Sequence, residues 1–524
     1  MNSSAPTPVA FSPADLAAAL AHVREPLHVV REPGGGRVGV VRGGDPAAHG
    51  DWLGTLPALY PEWLGDRSFT EAHRTRFAYC TGAMANGIAT VEVVVAAARA
   101  GCLGFFGAAG LLPHRVEAAV DRLVAELGDR PFGVNLIHSP QEPRVEAEVA
   151  DLLVAKGVRT VEASAFMRIT PPVVRYAAAG LRRDAAGNIV RHHRIVAKVS
   201  RPEVARQYLS PAPAAMLDML VREGKLTAAE AELARRIPVA EDITVEADSG
   251  GHTDNQPLVA MFPVIAELAR TLAREHGYAS VPRVGAAGGI GTPASAAAAF
   301  GMGAAYVLTG SVNQSAVESG VAPISRELLA KAQIADVAMA PAADMFEMGV
   351  EVQVLRRGTM FAARGGRLHE LYHRYEGLAA LPPADRTRLE TEVFRAPLDQ
   401  VWADTERYFA ERDPAQVARA LAEPKHQMAL VFRWYLGKAS RWAIDGTPDR
   451  VLDFQLWCGP SMGAFNDWVK GSFLEAPAAR TVGQIALNLM EGAAVVTRAS
   501  QLRTFGAAVP AEAFDYRPVP LSID

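Results

Sequence analysis

Cysteine is scarce: Cys80, Cys102 and Cys458 are the only three in 524 residues. So sparse and odd a set builds neither a disulfide framework nor a zinc site, and apolar neighbours mark all three as core residues. Excess charge of one sign is lacking too. The 53 Lys and Arg nearly balance 57 Asp and Glu, a formal charge of -4, so nothing global points to nucleic acid or a membrane surface. There is no long unbroken apolar run. The most apolar stretch, residues 91–113, is interrupted by Glu92, Arg99 and several glycines, too often for a membrane span. The opening MNSSAPTPVAFSPADL has no basic region followed by an apolar one, so no signal peptide and a cytoplasmic setting are expected. A hydrophobic fraction of 49% excludes a mainly disordered chain.

Along the chain, residues 1–70 are Pro/Gly-rich and irregular, with one clear helix that starts at Ser12-Pro13. Residues 71–335 change character. Short apolar runs at 77–84, 103–109, 132–137, 158–164, 194–200, 243–249, 283–287 and 304–310 alternate with Ala-rich helical runs. Most are apolar throughout rather than alternating, the pattern of a parallel sheet covered on its outer face by helices. Eight such units predict an α/β fold, a (β/α)8 TIM barrel, with an open doubly wound sheet as the alternative. Helical insertions interrupt the rhythm. One, at 201–240, has two predicted helices, and Thr227 with Glu230 forms a capping box. Beyond 336 the strand rhythm stops and a mainly helical region runs to 524, with an aromatic stretch at 426–470 that reads as its core.

Chemistry concentrates at predicted strand ends. In RVGAAGGIGTPASAAAAFGMGAAYVLTGS, residues 283–311, a strand runs into Gly288-Gly289. Thr292 and Pro293 then cap a helix, and the next strand ends in Gly310-Ser311. Glycines at the ends of two adjacent strands let backbone N–H groups approach an anion, the phosphate site barrels build after strands seven and eight. The bland reading is tight turns alone. The glycines do not spell the dinucleotide fingerprint and no Walker loop is present, so one phosphate, as in FMN, fits better than a pyrophosphate.

In DITVEADSGGHTDN, residues 242–255, a strand leads to Gly250-Gly251-His252. Two glycines leave room for a flat ligand, and His252 is a candidate proton donor or carbonyl partner; capping the next loop is the other reading. Glu246 and Asp248 share a strand face and suit a cation, or pairing with Arg or backbone N–H. In FAYCTGAMANG, the small residues around Ala83 and Met84 allow a ring system against backbone, or close helix–strand packing. Asn135 and Lys198 are polar residues inside apolar strands and need partners. Lys198 suits either negative charge on a reduced ring or an ion pair with Glu162 or Glu246. The pair His192-His193 reads as a solvated turn rather than a metal site.

The pieces GAMA (82–85), GCLGFFGAAG (101–110), FGVNL (132–136), SGGH (249–252), AAGGI (286–290) and TGS (309–311) resemble the flavin barrels of the nitronate monooxygenase and FMN-dependent enoyl reductase group. ANGIAT, VNLIHSP, VRTVEASAFM, EADSGGHTDN, APAADMFEMGV, FRWYLG and WCGPSMGAFNDW more closely resemble PfaD-type enoyl reductases acting in trans on polyketide and polyunsaturated fatty-acid synthases. That resemblance implies FMN with its phosphate on Gly288, Gly289, Gly310 and Ser311. It puts the ring near Ala83, Met84 and Asn135, with Lys198, Gly250 and Gly251 around it, and His252 beside the flavin as catalytic residue. It implies NADPH as co-substrate and enoyl thioesters on acyl carrier protein domains as substrate, with no metal, nucleic acid or membrane and with homo-oligomers open. Val312-Asn313 replaces the Arg-Phe usual after the phosphate turn of nitronate monooxygenases. A nitronate-type flavin oxidase and a non-catalytic docking barrel are the alternatives.

Overall fold

The computed structural model describes residues 8–140 and 142–523; the first seven residues of the expected N-terminal segment lie outside them. The eight apolar runs each contain a strand: β1 Tyr79–Thr81, β2 Leu103–Phe106, β3 Gly133–Ile137, β4 Thr160–Ser164, β5 Arg194–Val199, β6 Asp242–Glu246, β7 Arg283–Ala287 and β8 Val307–Thr309. They pair in chain order, all parallel, and β8 closes on β1. The closed (β/α)8 barrel therefore holds, and the open sheet does not. Helices such as Val91–Arg99, Pro113–Leu127 and Leu258–His276 supply the outer layer, so the strands are buried on both faces.

One end of the barrel is stoppered before β1 begins. Helix Arg67–His73, capped by Asp66, stacks Phe69 on Tyr306 at 4.3 Å and buries His73. His73 Nε2 donates to Asp242 Oδ2 at 2.9 Å, and Arg283 donates to the same carboxylate at 2.6 and 2.8 Å. Asp242 and Arg283 are the first residues of β6 and β7, so this cluster sits at the N-terminal end of the strands. The opposite end is left to the loops, as barrel enzymes require.

The described residues divide into two compact units. One holds the barrel: residues up to Ala247, Pro257–Ser319, and from Asp467 onward. It also holds a three-stranded antiparallel sheet, Leu27–Arg31 between Val38–Arg42 and Asp51–Leu56, in the region expected to be irregular apart from one helix. Helix Val482–Arg503, apolar on nearly every face, packs in this unit against Pro293–Gly301; a Cβ at Gly492 would lie 2.5 Å from Pro293. The other unit is Asp248–Gln256 with Gly320–Asn466. Its helices enclose an aromatic core around Phe346, Phe394, Phe432 and Tyr435. It also carries a small antiparallel sheet of Gly251–His252, Glu351–Leu355 and Val337–Pro341, so the strands do not stop at 336. The expected boundaries at 335 and 336 thus differ from the fold, whose last stretch returns to the barrel. The 201–240 insertion has three helices rather than two, with the Thr227–Glu230 capping box in place. His193 is buried, its Nδ1 donating to the Val158 carbonyl at 2.8 Å, and desolvation lowers its pKa to about 4; it is no solvated turn.

Burial alone would raise the Asp242 carboxyl, but His73 and Arg283 outweigh it and hold the group below the usual carboxylate range. Its stabilising contribution is complete above the unfolded value and disappears as pH falls below about 4. Asp242→Asn should cost about 3 kcal/mol at pH 7, read by denaturant unfolding, and the gap to the parent should narrow below about pH 4.

Candidate functional site at the barrel rim

Three loops leave the C-terminal edge side by side. Ala287 pairs with Leu308 in the β7–β8 ladder, so Gly288-Gly289 and Gly310-Ser311 emerge as neighbours. Gly82 N–H donates to the Thr309 carbonyl at 2.9 Å, which brings Ala83 and Met84 next to β8. Gly288 and Gly289 take φ of +82° and +70°, a region other residues enter at a cost. A Cβ on Gly288 would strike Ala247 backbone at 2.7 Å, whereas at Gly289 and Gly310 it would meet open space.

The amides around these glycines differ in use. Gly291 and Thr292 donate to Ser295 Oγ at 3.2 and 3.0 Å, closing the capping box of helix Pro293–Gly301. Among the described residues, no protein acceptor takes the amides of Gly288, Gly289 or Gly310. Asn313 Nδ2 donates to the carbonyl and hydroxyl of Thr309, both at 2.9 Å, and Tyr79 bonds the same hydroxyl at 2.5 Å, so the end of β8 is held firmly. Unused amides from two adjacent loops, opening on free space, suit a phosphoryl group. The residues present fit the phosphate of a flavin mononucleotide.

Behind these loops lies a buried charge cluster. Lys198 Nζ stands 2.9 Å from Glu246 and 3.3 Å from Glu162, on β5, β6 and β4. Glu162 is fully buried and also accepts from Ala83 N–H at 2.9 Å and Ser164 Oγ at 3.1 Å. Burial would lower the Lys198 ammonium, but Glu246 and Glu162 raise it above its ordinary value; burial raises Glu162, only partly offset by Lys198. The ion-pair reading of Lys198 is therefore realised, with both carboxylates at once. Asn135 is satisfied by its neighbour strand, donating to the Glu162 carbonyl and Ser164 Oγ, both at 3.0 Å. Met84 is fixed by packing: its carbonyl accepts from Ala89 and would clash with any Cβ on Gly107. Glu162 ties β4 to the β1 loop, and sequence reasoning gave it only the part of a salt-bridge partner. Its signal was an acid amid the apolar VRTVEAS, in register with Asn135.

The segment after β6 departs from expectation. The strand ends at Glu246, and Gly251–His252 pairs instead with Val352 and Gln353 in the second unit. His252 Nε2 lies 3.4 Å from Asp344 Oδ1. Gly250 is explained by close approach, since a Cβ would sit 2.8 Å from the Cys458 amide. Asp248 accepts from Gln353 at 2.7 Å while Glu246 holds Lys198, so the two acids do not form one site. Among the described residues no group of three His, Cys, Asp or Glu could hold a metal, and no helix is long and apolar enough to cross a membrane.

Among known proteins, the family described as nitronate monooxygenase matches residues 68–364, and the inserted helical domain of [acyl-carrier-protein] S-malonyltransferase matches 375–454. A polyunsaturated fatty acid synthase polypeptide of Thraustochytrium sp. is 46% identical over 95% of this chain, which spans 34% of that protein. PksE of Bacillus subtilis, a polyketide biosynthesis protein, is 44% identical over 83% of this chain, which spans 56% of it. The chain thus covers well under two thirds of either relative. The enoyl reductase domain of MlnA, from the macrolactin cluster of Bacillus amyloliquefaciens, superposes with a TM-score of 0.81 at 39% identity, over 84% of this chain and 99% of that one.

Lys198→Met would leave Glu162 and Glu246 facing each other without a cation. Unfolding should show a loss of about 3 kcal/mol at pH 7. Glu162, already raised, would then protonate more readily, so the deficit should shrink as pH falls toward about 5.

Proposed function

The chain belongs to the nitronate monooxygenase family of barrels, in its PfaD-type enoyl reductase branch, and on that premise we propose that it is an FMN-dependent enoyl reductase. Its substrates are α,β-unsaturated thioesters on acyl carrier protein domains of a polyketide or polyunsaturated fatty-acid synthase, met in trans, with NAD(P)H as electron source. The observation that carries the reading is the set of unused amides at Gly288, Gly289 and Gly310, in a fold that matches the MlnA enoyl reductase domain along nearly all of that domain. The match of residues 375–454 to a helical insert from an acyl-carrier-protein transferase supports a carrier-protein setting.

Bound FMN would supply two-electron hydride chemistry. The chain's own part is positioning and electrostatics. The rim amides of the β7 and β8 loops hold the phosphate, with Ser311 at the start of its short helix. Glu162 fixes the Ala83 amide and so the β1 loop that would support the ring, and Lys198 would offer its positive charge to a reduced ring.

The nitronate oxidase reading draws on the family description itself. The two readings separate on one preparation. The purified protein should show a flavin spectrum after loading with FMN, be bleached anaerobically by NADPH, and recover its colour with a crotonyl thioester. A protein that takes up no FMN, or that turns over alkyl nitronates with oxygen and leaves the thioester untouched, contradicts the proposal. Gly289→Val places a branched side chain at φ of +70° on the phosphate loop and should lower FMN affinity at least about tenfold, read by fluorescence titration.

A further inference from the structure

A histidine stands on the barrel rim. His138 directly follows β3, and its N–H extends the ladder to the Ser164 carbonyl at 3.1 Å, at the end of β4. Its Nδ1 is 3.0 Å from Glu146 Oε2. Glu146, in the first turn of helix Pro143–Ala155, is buried and also accepts from Ser139 N–H at 3.0 Å and from the Thr170 hydroxyl. Burial would raise this carboxyl, but His138, Thr170 and Ser139 outweigh it and hold it below its usual value. An ionised carboxylate only accepts, so Nδ1 carries the hydrogen. Nε2 is left on the opposite edge of the ring, with no protein partner among the described residues. The ring is stacked on Phe166 at 5.1 Å, which fixes its plane, and Phe166 meets Tyr208 edge-on at 6.3 Å. The Tyr208 hydroxyl is buried and has no hydrogen-bond partner among the described residues, so the cluster has an unused polar group besides Nε2.

A loop anchor needs only the Ser139 and Thr170 bonds to Glu146. It does not need an imidazole whose tautomer and plane are both set and whose far nitrogen is bare. That arrangement is how a carboxylate prepares a histidine for proton transfer. The geometry points to His138 as the proton donor of the proposed reduction, with Glu146 as its positioning residue; this rests on the enoyl reductase reading above. Reduction places a hydride on the β-carbon, shifts the alkene pair toward the α-carbon, and needs one proton there. In its imidazolium form His138 gives the proton on Nε2, returns to the neutral Nδ1–H tautomer held by Glu146, and is reprotonated at Nε2 from solvent; NAD(P)H supplies the electrons.

The test compares the FMN-loaded parent with His138→Gln and Glu146→Gln. Each is reduced by NADPH without oxygen, then mixed with crotonyl-pantetheine. His138→Gln should slow the second step about 100-fold, with flavin bleaching by NADPH retained. Reoxidation within about threefold of the parent overturns the proton role. A parent that the thioester does not reoxidise removes the enoyl reductase reading and the proton step with it, a distinct result. A readout without FMN or turnover covers poorly folding variants. Nitrogen-15 NMR of the parent apoprotein should show His138 as the Nδ1–H tautomer, giving way to Nε2–H in Glu146→Gln. An Nε2–H parent overturns the dyad.

Discussion

The parallel pairing of β7 with β8 is the constraint on which the rim depends. With Ala287 opposite Leu308, the ladder ends at the same height on both strands. The residues beyond must leave as neighbours, and their amides have no further strand to meet. Glycine at 288 and 289 turns that chain end back within a space where a side chain on Gly288 would strike Ala247. A slip of one residue would point alternate side chains the wrong way and scatter the amides. The stopper of His73, Asp242 and Arg283 holds the far end of β7, because Arg283 begins that strand and Asp242 begins its neighbour β6.

Charge is placed with similar economy. Glu162, Lys198 and Glu246 come from three consecutive strands and leave one net negative charge among buried groups. Such a cluster adds little stability by itself, but removing one member leaves the others uncompensated. Its value is geometric. Glu162 reaches across the barrel to the Ala83 amide, so the β1 loop cannot move without breaking a charged hydrogen bond. On the neighbouring sector, Glu146 treats His138 in the same manner, fixing a functional group from behind.

Much of this was legible from the chain. Continuous apolar runs between Ala-rich helices specify buried parallel strands, and the cap at Thr292-Pro293 stands where its side-chain chemistry requires. What escaped reading depends on distant partners. Gly250-Gly251-His252 looked like the end of β6, yet its strand partner lies far along the chain, at Val352 and Gln353, and the close approach to Cys458 leaves no local trace. Helix Val482–Arg503 returns to the barrel through small residues such as Gly492, a packing signal that does not name its partner. The bond from His138 to Glu146 joins a strand end to the first turn of the next helix, a pairing that no periodicity in the chain reports. Sequence periodicity reports which face is buried, not against what.

The central claim is that backbone amides after β7 and β8 bind a phosphoryl group and so anchor a flavin at the rim. The affinity of the apoprotein for FMN against riboflavin, which lacks only the phosphate, tests it most directly. Three hydrogen bonds to a charged acceptor predict FMN to bind at least about 100-fold more tightly. Equal affinities would contradict the claim.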